Sequence, residues 1–345
     1  MKRREFMQDL SALSVSSLLP RHVNAGAAQP ISHARQTPEG DARPVGIGVI
    51  AIGRNGGEVL SALAGKLLYL KRSIAIDTDP VALLRVAADE KLMVCPDWPY
   101  TANPFSKGFR GDFSAALDGI DIAFIVVGPD AGTDINLSQA IADVLRAKSI
   151  PAIIGVIPSV GLEDGYRKEV AHDDIQALKD VSNAVFPLAI ASRRSATSLR
   201  KQPSTLTQAI DAFENLYHGV AKPVFGPGFV TLDVESIADT LSQEGASAIG
   251  FGTASGEYAA ETATLRAITH PLLGRHRLFS ALKVFIHLEG HSNFLRFKTI
   301  SKVTDIVRRA TDEHYDSQLV FGATESDTLS RDCRINILTS GIHML

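Results

Sequence analysis

Val45-Gly-Ile-Gly-Val-Ile-Ala-Ile-Gly-Arg-Asn-Gly-Gly57 decides the fold. Its first eight residues form a short apolar run, the pattern of a strand buried on both faces. The turn Gly53 to Gly57 follows, and then a helical pattern from Glu58 to Leu70. Strand, glycine turn and helix in this order present free backbone N–H groups and a positive helix end to a phosphate. The unit recurs downstream. The run Ser73 to Ile76 ends in Asp77-Thr78-Asp79 ahead of a helical pattern from Val81 to Ala88. The strand Ile120 to Val127 ends in Gly128-Pro-Asp-Ala-Gly-Thr133 before a helix from Leu137 to Ala147, and Ile150 to Ile157 is another buried strand. Strands alternating with helices imply an α/β, doubly wound, Rossmann-like sheet. Ligands of such sheets sit at the carboxyl ends of the strands, where these loops lie.

The second half is built differently. A long helix is expected from Leu206 to Val220, then a Pro/Gly-rich break from Pro223 to Gly228. Helices at Asp233 to Gln243 and Gly256 to Thr269 follow, with strand-like runs at Ala281 to Leu288, Leu319 to Ala323 and Arg334 to Thr339. The expected division is a leader at 1–45, a ligand-binding α/β domain at 46–205, a central helix and linker at 206–228, and a smaller α+β domain at 229–345.

Composition narrows the classes. At 345 residues the chain has room for about two domains. No apolar run approaches the roughly 18 residues of a membrane span. The net charge is −3, from 35 basic and 38 acidic residues, without the basic excess of a nucleic-acid binder. Two cysteines, Cys95 and Cys333, make neither a zinc cluster nor a disulfide framework and are expected to pack as small apolar groups. His287-Leu-Glu-Gly-His291 lacks the H-E-x-x-H order and straddles a strand end, so no metal site is assigned. The start, Met1-Lys-Arg-Arg-Glu-Phe-Met7, followed by a mildly apolar stretch and Ala25-Gly-Ala27, reads two ways. It is a twin-arginine export signal leading to the periplasm, or a frayed basic terminus of a cytoplasmic protein, the slightly favoured reading.

No strict G-x-G-x-x-G and no Walker Gly-Lys-Ser/Thr occurs, so each loop alone is a weak signal. Their order is specific. From about Val45 to Ile342 the chain resembles the FtsZ/tubulin family of assembling GTPases, the bacterial FtsZ branch in particular. Val49 to Gly57 looks like the family's first phosphate loop, and Ala102-Asn103-Pro104 like its γ-phosphate loop. Gly132-Thr133 falls within the tubulin signature GGGTG[ST]G. Most specific are Gly226-Pro-Gly-Phe-Val-Thr-Leu-Asp233, Gly250-x-Gly-x-Ala-Ser-Gly-Glu257 and Pro271-Leu-Leu273, which are similar to the catalytic loop and the segment after it.

The resemblance implies a GTP or GDP site at Gly53, Asn55, Gly56, Gly57, Asn103, Gly132, Thr133, Glu163, Arg167 and Asp211. Glu163 would contact the ribose and Arg167 the nucleotide. A carboxylate such as Asp211 accepts both adjacent donors of the guanine edge, N1–H and N2–H₂, and so rejects adenine; the plainer reading is an exposed charge on an amphipathic helix. The resemblance also implies head-to-tail filaments, of this chain or with another FtsZ, in cell division or the cytoskeleton.

The departures are as informative. The signature reads Asp130-Ala-Gly-Thr-Asp-Ile-Asn136, which brings Asp130 and Asp134 beside a polyphosphate, a like-charge contact that Mg²⁺ would offset. Arg54 and Asn55 stand where glycines are usual, and Glu58 where Asn is usual. The family's N-x-D-x-x-D catalytic loop, donated by the next subunit, reads Thr231, Asp233 and Ser236. Ser236 is too weakly basic to polarise water, so weakened GTP hydrolysis is expected. Asp233 is either the surviving catalytic acid or a helix cap. The sequence ends at Leu345, just after the last expected strand, where FtsZ proteins continue into a linker and a tether-binding peptide. Two alternatives stay open: a non-hydrolysing pseudo-GTPase scaffold for another filament, and an NAD-dependent Rossmann oxidoreductase.

Overall fold

A computed structural model describes residues 46–94, 109–110, 113–128, 133–158, 175–190, 204–292, 294–311, 317–326, 329 and 332–342. The leader 1–45 and Cys95 lie outside the described residues.

Strand β1 (Ile47–Ile52) is buried at every position, as its apolar run demands. Alternate residues serve two cores. Ile47, Val49 and Ala51 face one side of the sheet, and Ile50 and Ile52 the other. With β2 (Leu70–Asp77), β3 (Glu90–Val94), β4 (Phe109–Arg110), β5 (Ile122–Val127), β6 (Ala152–Val156) and β7 (Ala184–Pro187) it forms a seven-stranded sheet, ordered β4-β3-β2-β1-β5-β6-β7. All neighbours are parallel except β4 against β3. This is the Rossmann-like sheet expected from the alternation.

Helix α1 (Gly53–Ala62) starts at the first glycine of the turn and stops well before Leu70, so the glycine loop is itself the first turn of the helix. The helix after β2 is only α2 (Pro80–Arg85), because the chain re-enters the sheet as β3. Short α3 (Phe113–Ala116) precedes β5, and α4 (Thr133–Ala147) follows it. The central helix α5 (Thr205–Phe225) lies on the α1 face, where Phe213 and Tyr217 pack on Phe124 with ring centroids 6.4 Å and 5.1 Å apart. It runs through Pro223, which reads as a break in the sequence, and ends at Gly226. Proline removes one backbone bond of the ladder, and burial of Val220, Ala221 and Pro223 holds the last turn in place.

Strands β8 (Gly228–Val230), β9 (Ala246–Ser255), β10 (Lys283–Gly290), β11 (Gln318–Glu325) and β12 (Asp332–Ile342) form a second, mixed sheet, ordered β8-β11-β10-β12-β9. Helix α6 (Val234–Leu241) follows β8. Helix α7 (Ala259–Ile268), short α8 (Arg275–Phe279) and α9 (Phe297–Arg308) complete this half, and α7 and α9 supply an outer apolar core. The other face of the sheet meets α5.

Gly250 and Gly252, singled out as a motif, act through packing. A Cβ on Gly252 would collide with the Ala263 carbonyl oxygen, and one on Gly250 with the Ala267 carbonyl oxygen. The two glycines let α7 lie directly on β9. Gly252→Ala should therefore cost about 2–3 kcal/mol of stability, read by urea denaturation. A loss below about 0.5 kcal/mol, the ordinary surface value, would refute this close packing.

Candidate functional site

The carboxyl edge of the first sheet gathers the glycine residues. β1 and β5 end level, Ile52 opposite Val127, and α1 begins at the next residue. Gly53 adopts φ +68°, a conformation that favours glycine. A Cβ on Gly56 would lie 2.5 Å from the Val126 carbonyl oxygen, so only glycine lets α1 sit against the β5 backbone. Asn55 packs over Gly128 in the same way, and Gly57 against Val86. The N-cap residue of α1, Ile52, makes no side-chain cap bond, and the first turn holds no acid. The first N–H groups of any helix have no carbonyl of a preceding turn to bond, the arrangement that suits an anion.

The Asp77-Thr78-Asp79 turn is tied to itself. The Asp79 N–H donates to Asp77 Oδ1 at 2.9 Å, and the Val81 N–H donates to Asp79 Oδ1 at 2.8 Å, capping α2 with Pro80 at its first position. The Arg54 guanidinium reaches over this turn, 3.8 Å from Asp79 Oδ2 and well exposed. A cleft of about 390 Å³ between α1 and α2 is lined by Arg54, Glu58, Ser61, Asp79 and Arg85, among others.

Thr133 opens α4 at this edge. Asn103, Gly132, Glu163 and Arg167 lie outside the described residues. α5 starts at the same edge: Ser204 caps it, accepting from the Thr207 N–H at 3.1 Å, and the Gln208 carboxamide oxygen accepts from the Ile190 N–H just beyond β7 at 3.4 Å. Asp211 follows one turn later, exposed, with its carbonyl oxygen taken by Asn215. Gly53, Asn55, Gly56, Gly57 and Thr133 thus share one edge, and Asp211 projects from a helix that begins there.

The other motif lies far off. α5 has 21 residues and spans about 30 Å. Halfway along, the Tyr217 hydroxyl donates to the Leu68 carbonyl at 2.8 Å, beside the amino end of β2. Past the end of the helix come Thr231, Asp233 and Ser236, all exposed. Asp233 Oδ1 accepts from the Ser236 N–H at 2.7 Å and caps α6. Of the two sequence readings of Asp233, the cap is the one seen in the geometry. The glycine edge and this loop occupy opposite ends of the molecule, so one chain cannot bring them together.

Sequence reasoning missed a buried charge cluster where α5 meets the second sheet. Lys222 Nζ lies 2.5 Å from Glu289 Oε1, and Arg334 Nη1 lies 3.7 Å from Glu289 Oε2; the Glu289 side chain is 3% exposed. Burial pushes the Glu289 carboxyl up, but Lys222 and Arg334 outweigh it and hold it below its ordinary value. His218 and His287 stand beside it, pushed down by burial to about 4 and about 3. His287 Nε2 pairs with Thr324 Oγ1 at 2.8 Å, while His291 lies beyond the end of β10. The available signal was the charged Glu289 directly after the mostly apolar run Val284 to Leu288. Cys333 packs in the apolar core of the second sheet, its thiol pushed up by burial to about 12.

Comparison with known proteins fits this layout. The sequence profile of the FtsZ family C-terminal domain matches residues 245–343. The cell division protein FtsZ of Pseudomonas aeruginosa is 24% identical over 308 residues, covering 86% of this chain and 77% of the relative. That of Rickettsia felis is 25% identical over 237 residues, covering 68% of this chain and 51% of the relative. Among solved structures, the empty FtsZ dimer of M. jannaschii superposes with a TM-score of 0.70 at 19% identity, covering 86% of this chain and 88% of that one. The GTPγS-bound protofilament of CetZ2 from Haloferax volcanii gives 0.63 at 18% identity, covering 87% and 94%. Residues 245–343 are thus FtsZ-like in sequence, and the fold as a whole is FtsZ-like. Within this FtsZ-like fold, Gly250 and Gly252 fall inside the matched C-terminal domain, and the glycine edge belongs to the half outside it. Among the described residues no helix is long and apolar enough to cross a membrane.

Proposed function

We propose that this chain binds GTP or GDP at the carboxyl edge of its first sheet and stacks head to tail, with copies of itself or with another FtsZ, in a cytoplasmic cell-division or cytoskeletal role. The observation that carries the proposal is the separation of the two motifs. A phosphate-suited edge at one end and the 231–236 loop at the other are complementary only between successive molecules. Such a heterologous contact propagates instead of closing. In this reading the unit at 46–205 holds the nucleotide, the unit at 229–345 carries the activating loop, and the helix at 206–228 joins them. Backbone N–H groups of α1 and α4 would cradle phosphates, Asp211 would select guanine, and Asn103, Gly132, Glu163 and Arg167 would complete the contacts. Among the described residues no group of three His, Cys, Asp or Glu side chains is arranged to hold a metal ion. Mg²⁺ would therefore enter with the nucleotide.

Hydrolysis is proposed to be weak. Asp233 already serves as a cap, and the second acid is replaced by Ser236, whose own N–H is the cap donor. The same geometry favours a second reading, a scaffold that assembles without turnover.

Three measurements on the purified chain test this. Fluorescent GTP should bind and be displaced by GDP but poorly by ATP or NAD. Light scattering should rise on adding GTP, and phosphate release should be slow against the time course of scattering. Preference for NAD, or scattering indifferent to GTP in a folded protein, would overturn the proposal; scattering without phosphate release selects the scaffold.

A further inference from the structure

The anion seat at the first turn of α1 already has a carboxylate against it. A Cβ built on Gly53 would lie 2.5 Å from Asp134 Oδ2, 3.0 Å from its Cγ and 3.1 Å from its Oδ1. Asp134 is the one acid in the first turn of α4, whereas α1 has neither an acid in its first turn nor a capping side chain. The negative group complementing the α1 terminus therefore comes from the neighbouring helix. The Asp134 backbone is fixed, its carbonyl oxygen accepting from Ser138 Oγ at 2.6 Å inside α4.

We propose that Asp134 sets phosphate affinity at this edge, acting as an internal anion that an incoming di- or triphosphate must displace. Two consequences follow from electrostatics. A polyphosphate entering the seat meets a fixed negative charge at contact range, where repulsion is weakly screened. It also competes for the helix terminus that the carboxylate already complements. Nucleotide binding in this chain is then weaker than its fold allows, and most so at low salt. Glycine at position 53 is favoured by its positive φ, and it leaves room for the Asp134 carboxylate.

The inference rests on the edge being the nucleotide site, and its test separates the two. Asp134→Asn keeps the shape and hydrogen-bonding capacity but removes the charge; Asp134→Gly removes the side chain. Binding of pyrophosphate and of GDP to each full-length chain would be measured by calorimetry at low and high salt, with circular dichroism as a check on folding. Both variants should bind pyrophosphate at least about tenfold more tightly than the parent chain at low salt, with the advantage shrinking as salt screens it. Folded variants that bind pyrophosphate no better than the parent, or less well, overturn the proposal. Tighter pyrophosphate binding with GDP bound no better than pyrophosphate would uphold Asp134 as the internal anion while removing the guanine-nucleotide reading.

Discussion

Glu289→Ala should destabilise the protein by about 3–5 kcal/mol, the cost of leaving a buried charge without its partner. Lys222 and Arg334 both lean on this carboxylate, and the Lys222 side chain is only 13% exposed. Truncation removes the single anion between two cations at the join of α5 and the second sheet. Glu289→Gln should cost nearly as much, because it keeps the shape and loses the charge. Pairing it with Lys222→Met should recover a large part of the loss, since an apolar replacement of a buried pair removes the desolvation cost along with the attraction. Chemical denaturation of the parent, Glu289→Gln, Lys222→Met and the double variant gives the cycle. Equal stability of Glu289→Ala and the parent chain would show that the cluster is not an electrostatic tie.

The same cluster gives a pH dependence whose sign is fixed. Glu289 is held below its ordinary value in the folded chain. Its contribution is therefore complete above the unfolded carboxylate range, near 4.3, and is lost as pH falls through the depressed folded value. His218 and His287 act in the same direction. Pushed down to about 4 and about 3 by burial, they remain neutral when folded. The unfolded chain takes up their protons from roughly pH 6.5 downward. Stability should thus begin to fall just below that pH and fall more steeply as Glu289 joins. Between roughly pH 6.5 and 5, the Glu289→Ala curve should run parallel to the parent.

What was legible in the sequence follows from what was being buried. β1 and β5 read clearly because both faces of the sheet are covered, so every residue had to be apolar. β3 did not, because its exposed start, Glu90-Lys91, looks like a helix exit. β9 was hidden by Gly250 and Gly252, which allow the close approach of α7 and have low strand propensity. Pro223 misled about the end of α5 because tertiary burial outweighs the local cost of proline. The glycine edge was readable since its elements are local in sequence. The Lys222–Glu289 pair was not, since its partners stand 67 residues apart and meet only when α5 docks on the second sheet. Asp134 was flagged as a charge beside a phosphate loop; its contact with Gly53 needed three dimensions.

Asp211→Ala should lower GTP affinity by about 30- to 150-fold while leaving ATP affinity unchanged, under the proposed nucleotide reading. The magnitude is that of hydrogen bonds to a charged acceptor, roughly 2–3 kcal/mol for a bidentate contact. Asp211 is exposed on the second turn of α5, and among the described residues no hydrogen bond or ion pair engages its carboxylate. Folding therefore makes little use of this charge, and the substitution should change stability by less than about 0.5 kcal/mol. That pairing of a large effect on one ligand with almost none on the fold separates guanine recognition from the plainer role of a solvated helix charge. Competition between labelled GTP and unlabelled ATP, measured beside a denaturation curve, reads both. If the GTP-to-ATP ratio is the same in the variant, Asp211 does not touch the base, and selectivity must come from elsewhere on the edge. If the ratio collapses while scattering on adding saturating GTP persists, the residue recognises the base and head-to-tail assembly needs only an occupied site.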